Sequence, residues 1–401
     1  MTATEQVLDI PFDDAFQFDP SPTWARLREH APIVRVRTLA GAVVWLVTRH
    51  ADVRMVLTDP RFSRAATVAA NAPRVAVARP LAGTLPATDP PEHTRLRGLV
   101  SGAFAHRAIE RTRPWVRALA ERLAGDLVDA GSGADLRQLF ALPLPIQVIC
   151  QLLGVPYADR ARFREWTELA YSMSMAEHES IDAAMASLLD YMAALVADKR
   201  AARREPADLL DELVLAQVDQ DRLSDDELVA FGVNLLVAGH ETSANQIGSF
   251  VATLLREPAH WARLVADRSL VPSAVEELLR FNRLSEVGQL RVATEDVSVA
   301  GTVVRAGDGV MAAIGSANRD PRAFPEPDTL DLARTPNQHL ALGAGPHFCL
   351  GAQLARIELQ ESLHALLARF PDLRLAVPAE QLPWRRVLVS GLAELPVTFT
   401  S

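Results

Sequence analysis

The sequence predicts a mainly α protein, a large helical region built around one long central helix with a smaller strand-bearing region beside it. Three observations carry this expectation. Apolar residues recur at three- and four-residue spacing over long segments bounded by Ser, Pro or Gly. Strand-like runs are few and short. The helical pattern that begins at Ser224 meets no proline before Pro258, so roughly 32 residues could run about 48 Å at ~1.5 Å each. The 401 residues, 49% of them hydrophobic, are enough for a large core. With no internal repeat and no low-complexity linker, residues 1–401 are expected to form one domain.

In chain order, Ile33 to Thr38 and Val43 to Thr48 read as a hairpin about Gly41. Helices follow over Ile109 to Val128 and Ser180 to Arg203, the Ala/Arg-rich stretch Ala197 to Arg204 reading as a solvated helix end. The central helix, Ser224 to Leu255, opens on a Ser-x-x-Glu capping box formed by Ser224 and Glu227. Its middle holds Asn234, Gly239, His240, Glu241 and Thr242, where a pure core helix would carry Leu or Val. Gly239 costs about 1 kcal/mol against Ala in a helix interior, and a bound group or an inserted water is expected to offset it. Ser273 to Phe281 forms a shorter helix, Val297 to Val304 a hairpin about Gly301, and Leu350 to Phe370 the last helix. Leu373 to Val377 pairs with Val397 to Thr400.

Several classes are excluded early. With 41 Lys+Arg against 50 Asp+Glu the net charge is −9, so the basic footprint of a nucleic-acid protein is missing. Two cysteines, Cys150 and Cys349, make no disulfide framework, and Met1 to Pro20 carries no secretory pattern, so a reducing cytoplasm is expected. The most apolar helical stretch, Val229 to Gly239, carries Asn234 and runs into His240 and Glu241. It falls short of the roughly 20 apolar residues of a spanning helix, and no membrane association is expected.

The chemistry concentrates at Leu342-Gly343-Ala344-Gly345-Pro346-His347-Phe348-Cys349-Leu350-Gly351, which leads into an amphipathic helix. Glycines and a proline permit a tight loop, and the helix N-terminus sets free N–H groups and a positive dipole end beside the sulfur. That environment favours a thiolate, as a nucleophile, a zinc ligand or an axial ligand to haem iron. Zinc is disfavoured because the other cysteine is remote in sequence. A Cys-His hydrolase with His347 as base suffers from a partner held two residues away in a constrained loop.

This loop resembles the haem-binding signature of the cytochrome P-450 superfamily, Phe-x-x-Gly-x-x-x-Cys-x-Gly. Gly345, Cys349 and Gly351 match it, and Leu342 stands where the family usually has Phe. Further segments are similar to the family's in the same order. Glu277-Leu278-Leu279-Arg280 matches Glu-x-x-Arg, whose spacing puts acid and base on one helical face. The resemblance makes it a buried structural brace of the cysteine loop, completed by Arg334. Ala238-Gly239-His240-Glu241-Thr242 resembles the oxygen-activation motif, and Asp89-Pro90-Pro91-Glu92-His93-Thr94-Arg95-Leu96-Arg97 the opening of a helix on the proximal side.

The resemblance implies the cytochrome P-450 fold and haem b with Cys349 as its iron ligand. It places His93, Arg97, Arg291 and His347 at the propionates, Gly351 in the cysteine loop, and Ala238 and Gly239 against the porphyrin face. Thr242 and Glu241 become the catalytic residues that handle dioxygen and protons. The implied activity is a monooxygenase that takes electrons from a ferredoxin and its NAD(P)H-dependent reductase, because no Gly-x-Gly-x-x-Gly fingerprint is present. Arg95, Arg107, Arg111, Arg113 and Arg356 are expected to form a basic patch for an acidic ferredoxin.

By analogy with the family, the substrate cavity takes its walls from 64–85, 166–185, the central helix, 284–290 and 390–392. Leu85, Asn234, Val237, Val287, Leu290 and Leu392 are the named candidates, and Glu286 one of the few charges. A mainly apolar lining implies a fairly large, mainly neutral substrate. The run Ala238 to Ile247 most resembles bacterial members that tailor secondary metabolites such as macrolides and cyclic peptides, by hydroxylation, epoxidation or oxidative coupling. A monomer is expected. A haem-thiolate gas or redox sensor would keep Cys349 without needing Thr242, and a thiol hydrolase would need no haem.

Overall fold

A computed structural model of the chain describes residues 7–12, 18–76, 81–170, 178–202, 207–220, 223–285, 287–385 and 388–400. The expectations for 77–80 and 171–177 of the cavity wall and for Glu286 lie outside the described residues. The first part of the chain contributes β1 (Leu8–Asp9), α1 (Pro22–His30), β2 (Ile33–Arg37), β3 (Val43–Val47), α2 (His50–Thr58) and β4 (Phe62–Ser63). A helical stretch follows: α3 (Glu92–Val100), α4 (His106–Glu110), α5 (Arg113–Ala130), α6 (Pro143–Leu153), α7 (Arg160–Ala170), α8 (His178–Ala202), α9 (Leu209–Gln220), α10 (Asp225–Arg256), α11 (Pro258–Ala266) and α12 (Val271–Phe281). The chain then forms β5 (Gln289–Ala293), β6 (Val297–Val299), β7 (Thr302–Val304), β8 (Gly309–Ala312), the one-turn α13 (Ile314–Ala317), α14 (Ala352–Arg369), β9 (Arg374–Leu375), β10 (Trp384–Arg385), β11 (Gly391–Leu392) and β12 (Val397–Thr398).

The central helix is α10, and both halves of its capping box form: the Ser224 side chain accepts from Glu227 N, and the Glu227 carboxylate accepts from Ser224 N. It runs beside α6, α8 and α14, inside the largest apolar cluster, which also holds Phe140, Phe231, Phe250, Trp261 and Phe370. Its polar middle has a packing cause. A Cβ on Gly239 would meet Ile149 Cδ1 of α6 at 2.6 Å, so close approach of two helices demands the glycine at this position. About two turns earlier, Gly232 makes the same allowance for Met192 of α8.

Other expectations shift for identifiable reasons. Ile109 to Val128 is two helices, because Pro114 cannot donate within a helix interior and instead starts α5. The solvated end at Ala197 to Arg204 holds Lys199 buried between Asp208, at 2.5 Å, and Asp211, at 3.1 Å. Among the described residues, Glu179–Ala202 is the one helix long and apolar enough to cross a membrane, with a mean hydropathy of 1.4. Its buried stripe, Ile181, Ala184, Leu188, Met192 and Val196, follows the three- and four-residue spacing of a core-facing helix.

The sheet is richer than the sequence suggested. The expected β2–β3 hairpin is joined by β8 and β5 in a six-stranded sheet of order β1-β2-β3-β8-β5-β4. Trp45, Val47, Val310 and Ala312 face one apolar cluster, Val44, Leu46 and Met311 the other, the alternation a two-sided sheet requires. In this sheet β5 pairs with β8 so that Leu290 sits opposite Met311 and Arg291 opposite Val310, and the two side chains leave by opposite faces. The β6–β7 hairpin and the β9–β12 pair form as expected.

Candidate active site

The segment from Leu342 to Cys349 is closed by its own backbone. Cys349 N donates to Leu342 O at 2.8 Å, Phe348 N to Gly345 O at 3.0 Å, and Gly343 N to Leu340 O at 2.8 Å. Gly343 and Gly345 take φ of 77° and 68°, and a Cβ on Gly345 would meet Leu57 O at 3.0 Å where the loop rests on the end of α2. Burial pushes the Cys349 thiol up, opposed by the Gly351 N–H and by Arg97 and Arg356. Around the position a Gly351 Cβ would take, no atom lies within 4 Å, so that side of the loop is open.

Two adjacent acids of α12 hold this loop. Glu277 is fully buried and takes both Arg280 nitrogens at 2.7 Å, Arg334 Nε at 3.0 Å, Asp331 N at 3.0 Å and Asn337 Nδ2 at 3.1 Å. Arg280 also donates to Asn318 O at 2.8 Å, while the Asn318 side chain accepts from Leu340 N at 2.7 Å, directly ahead of the loop. Glu276 binds Arg356 at 2.7 Å on α14 and faces His339 at 3.1 Å. Although burial alone would raise its carboxyl, Arg356 and His339 outweigh that and bring it down to about 2.

Beside the loop lies a cluster of basic side chains, in which burial and the neighbouring cations push His347 down to about 3 and His93 below its usual value. His93 of α3 packs at a tilt against His347, ring centroids 4.4 Å apart, Arg97 one turn on donates to Pro346 O at 3.1 Å, and Arg291 of β5 is 1% exposed. Arg64, which motif matching missed, approaches from the turn after β4 and donates to Leu290 O. The acid of this cluster is Asp89, 3.9 Å from His347 and bonded to Ser63, Arg64 N and Ala65 N. Two guanidiniums, Arg64 and Arg291, bonded to no carboxylate among the described residues, call for an anionic partner.

The middle of α10 carries the third part. The flanking segments Ala230–Val233 and Ser243–Leu255 are buried, yet Ala238 is exposed and Asn234, Val237 and Thr242 are half-buried, forming one open stripe in the middle of the helix. The Thr242 hydroxyl donates to Ala238 O at 2.8 Å. Glu241 points to the other side and is 1% exposed. It accepts from Arg385 Nη1 at 2.7 Å and Asn245 Nδ2 at 3.3 Å, while Oε2 has no partner among the described residues. Burial would raise this carboxyl, but Arg385, His240 and Arg137 outweigh it and hold it below the usual range. On the α14 side, burial pushes Glu358 up to about 8 against a Ser243 hydrogen bond.

Of the six cavity candidates, the structure brings together Asn234 and Val237. Leu85 and Leu392 are drawn into the helical core, and Val287 and Leu290 into the cluster beneath the sheet with Trp24 and Met311, because large apolar side chains gain most from full burial. The basic patch contracts in the same way. Arg95 pairs with Glu92 and Glu227, Arg113 with Glu110 and Glu361, and Arg356 with Glu276, leaving Arg107 and Arg111 exposed.

An iron porphyrin fits this arrangement. Its iron needs a soft ligand, which a buried sulfur beside an N–H donor offers, its propionates need cations, which the Arg291 cluster offers, and its flat face needs small neighbours, which Ala238 and Gly351 provide.

Comparison with known proteins gives the same picture. The family model described as Cytochrome P450 matches residues 169–378. The nocardicin C N-oxygenase of Nocardia uniformis subsp. tsuyamanensis is 49% identical over 100% of both chains. The mycinamicin IV hydroxylase/epoxidase of Micromonospora griseorubida is 44% identical over 97% of this chain and 98% of its own. The crystal structure of HinD with NMFT and NO superposes with a TM-score of 0.94 at 46% identity, over 99% of this chain and 100% of that one. The first two relatives are named as an N-oxygenase and a hydroxylase/epoxidase, and with full-length similarity of this degree the chain belongs to the cytochrome P450 family as a haem b monooxygenase.

Proposed function

We propose that Cys349 is the axial thiolate ligand of haem iron in a monooxygenase that tailors a secondary metabolite. His93, Arg97, Arg291 and His347 bind the propionates, and Ala238 and Gly351 border the porphyrin faces. The observation that carries this reading is the closed Leu342–Cys349 loop, braced through Glu276 and Glu277, beside the Arg64 and Arg291 guanidiniums, neither of which is bonded to a carboxylate among the described residues. When bound, haem supplies the reductive activation of dioxygen and the transfer of one oxygen atom to substrate.

The chain's own groups control charge and protons around that chemistry. The Gly351 N–H, Arg97 and Arg356 stabilise negative charge on the Cys349 sulfur against the cost of burial. With its proton held by Ala238 O, Thr242 turns oxygen lone pairs to the open stripe and accepts a hydrogen bond there. Glu241 stands behind it in a polar chamber with Arg385, Arg137 and His240. From this chamber Arg385 reaches toward Glu168, 3.9 Å away and half-exposed, so protons have a chain of polar groups from the surface of α7 to the interior.

The substrate is a fairly large, mainly neutral molecule of the macrolide/polyketide or cyclic-peptide kind, oxidised by hydroxylation, epoxidation or oxidative coupling. Support comes from the named activities of the relatives and from a stripe that offers Val237, Ala238 and a single amide, Asn234. Electrons come from a ferredoxin and its reductase, docking where Arg107 and Arg111 are exposed and Phe348, 39% exposed, lies next to the cysteine. The protein works as a cytoplasmic, single-domain monomer. The test is the reduced carbon-monoxide difference spectrum: the native protein gives the red-shifted thiolate Soret band and Cys349→His abolishes it. A thiolate band retained in Cys349→His overturns the assignment.

A further inference from the structure

Arg64 and Arg291 converge on one carbonyl. Arg64 Nη1 donates to Leu290 O at 3.0 Å, and Arg291 Nη1 donates to the same oxygen at 3.1 Å. The remaining bonds of the two guanidiniums also go to neutral acceptors: Arg64 Nε to Pro86 O at 2.6 Å, and Arg291 Nη2 to Gln289 Oε1 at 3.5 Å. Among the described residues neither is hydrogen-bonded or ion-paired to a carboxylate. Asp89 exerts its field on both but is committed to Ser63 and to the Arg64 and Ala65 N–H groups.

Two like charges on one neutral oxygen, one of them buried and the other half-buried, repel, and folding alone gives no reason to bring them together. Burial lowers Arg64 to about 10, and burial together with Arg64 lowers Arg291 to about 8, the direction expected of cations awaiting an anion. Guanidinium N–H groups left over by one shared carbonyl suit the planar, two-oxygen acceptor that a carboxylate presents.

We propose that Arg64 is a carboxylate-binding residue that closes with Arg291 on one carboxylate of a bound molecule. The source is a haem propionate, because Asp89, which accepts from Arg64 N at 2.9 Å, lies 3.9 Å from His347, and His93 packs at a tilt against that same imidazole. A substrate carboxylate is the other source of the same chemistry, since Arg64 heads the segment expected to reach the cavity wall. The inference rests on the reading of this chamber as the haem site.

The test is a cycle between Arg64 and the carboxylates themselves. Native protein, Arg64→Met and Arg64→Lys are loaded with haem b or with its dimethyl ester, and haem transfer to excess apomyoglobin is timed. Arg64→Met is expected to speed loss of haem b about tenfold and to leave loss of the ester unchanged, with Arg64→Lys in between. In a second arm, the haem b forms are titrated with an imidazole-bearing carboxylic acid and its methyl ester, read by the low-spin Soret shift. Discrimination between acid and ester that disappears in Arg64→Met assigns the carboxylate to the distal ligand and still supports the proposal. Equal acceleration of both haems with no discrimination in the second arm overturns it, leaving Arg64 a clamp between Pro86 and Leu290. Should Arg64→Met fail to fold, Arg64→Lys completes the cycle, because an ammonium cannot reproduce the fork. The carbon-monoxide spectrum of each variant reports the Cys349 ligation separately, so failure of either reading is recognised by itself.

Discussion

Arg385 Nη1 donates to Glu241 Oε1 at 2.7 Å, tying the last small hairpin of the chain to the middle of its longest helix. The carboxylate sits at the bottom of a polar chamber walled by Arg137, Arg164 and Glu168, with His240 and Asn245 on its own helix and Trp384 next to the arginine.

Loss of Arg385 removes the foremost of the cations that hold the Glu241 carboxyl down, so Arg385→Gln is expected to raise its pKa. If Glu241 delivers protons as proposed, the acidic limb of the pH profile moves toward neutrality and a larger share of electrons leaves as hydrogen peroxide. Arg385→Lys restores much of the coupling. The measurement is product formed per NADH consumed between about pH 5.5 and 8.5, where a raised carboxyl titrates; identical coupling in Arg385→Gln and native protein refutes the role.

Gly239 faces Ile149 with no room for a methyl group. Gly239→Ala gains helix propensity yet overpacks the α6–α10 contact, and is expected to destabilise the protein by about 1–3 kcal/mol in urea unfolding. The penalty should shrink in an Ile149→Ala background. Additive losses in the double variant would place the conflict elsewhere.

Glu276 gives the protein an acid-sensitive joint. Its folded pKa, lowered to about 2, lies below the ordinary value, so the carboxylate's contribution is complete above about pH 4.5 and disappears as pH falls through the folded value. The stability difference between native protein and Glu276→Gln is therefore expected to be largest near neutrality and to close between about pH 4.5 and 2. Thermal midpoints of both proteins over that window provide the check; a constant difference argues against the Arg356–His339 attachment as its origin.

Local signals made the cysteine loop legible. Its glycines answer to positive φ and to contact with Leu57, and Glu277 and Arg280 stand three residues apart, where a helix must bring them together. The capping box of α10 is equally local. Arg385, Arg64 and Arg137 left no such trace. Each is one arginine among 41 Lys+Arg, and each gains its meaning from a partner far away in the chain. Strands β5 and β8 were missed because short apolar runs carry no period of their own until the β3 edge supplies a register. Gly239 was visible as an anomaly, but only the position of Ile149 explains it.

Neighbouring acids on α12 grasp opposite ends of the cysteine loop, Glu277 through Arg334 and Asn337 ahead of it and Glu276 through Arg356 beyond it. That cradle is assembled wholly from protein groups, whereas the stripe from Asn234 to Thr242 faces open space and bears little of the scaffold's weight. Evolution can therefore redecorate the ceiling of the chamber while its floor stays fixed, and one inherited reactor can be refitted for chemically unrelated guests.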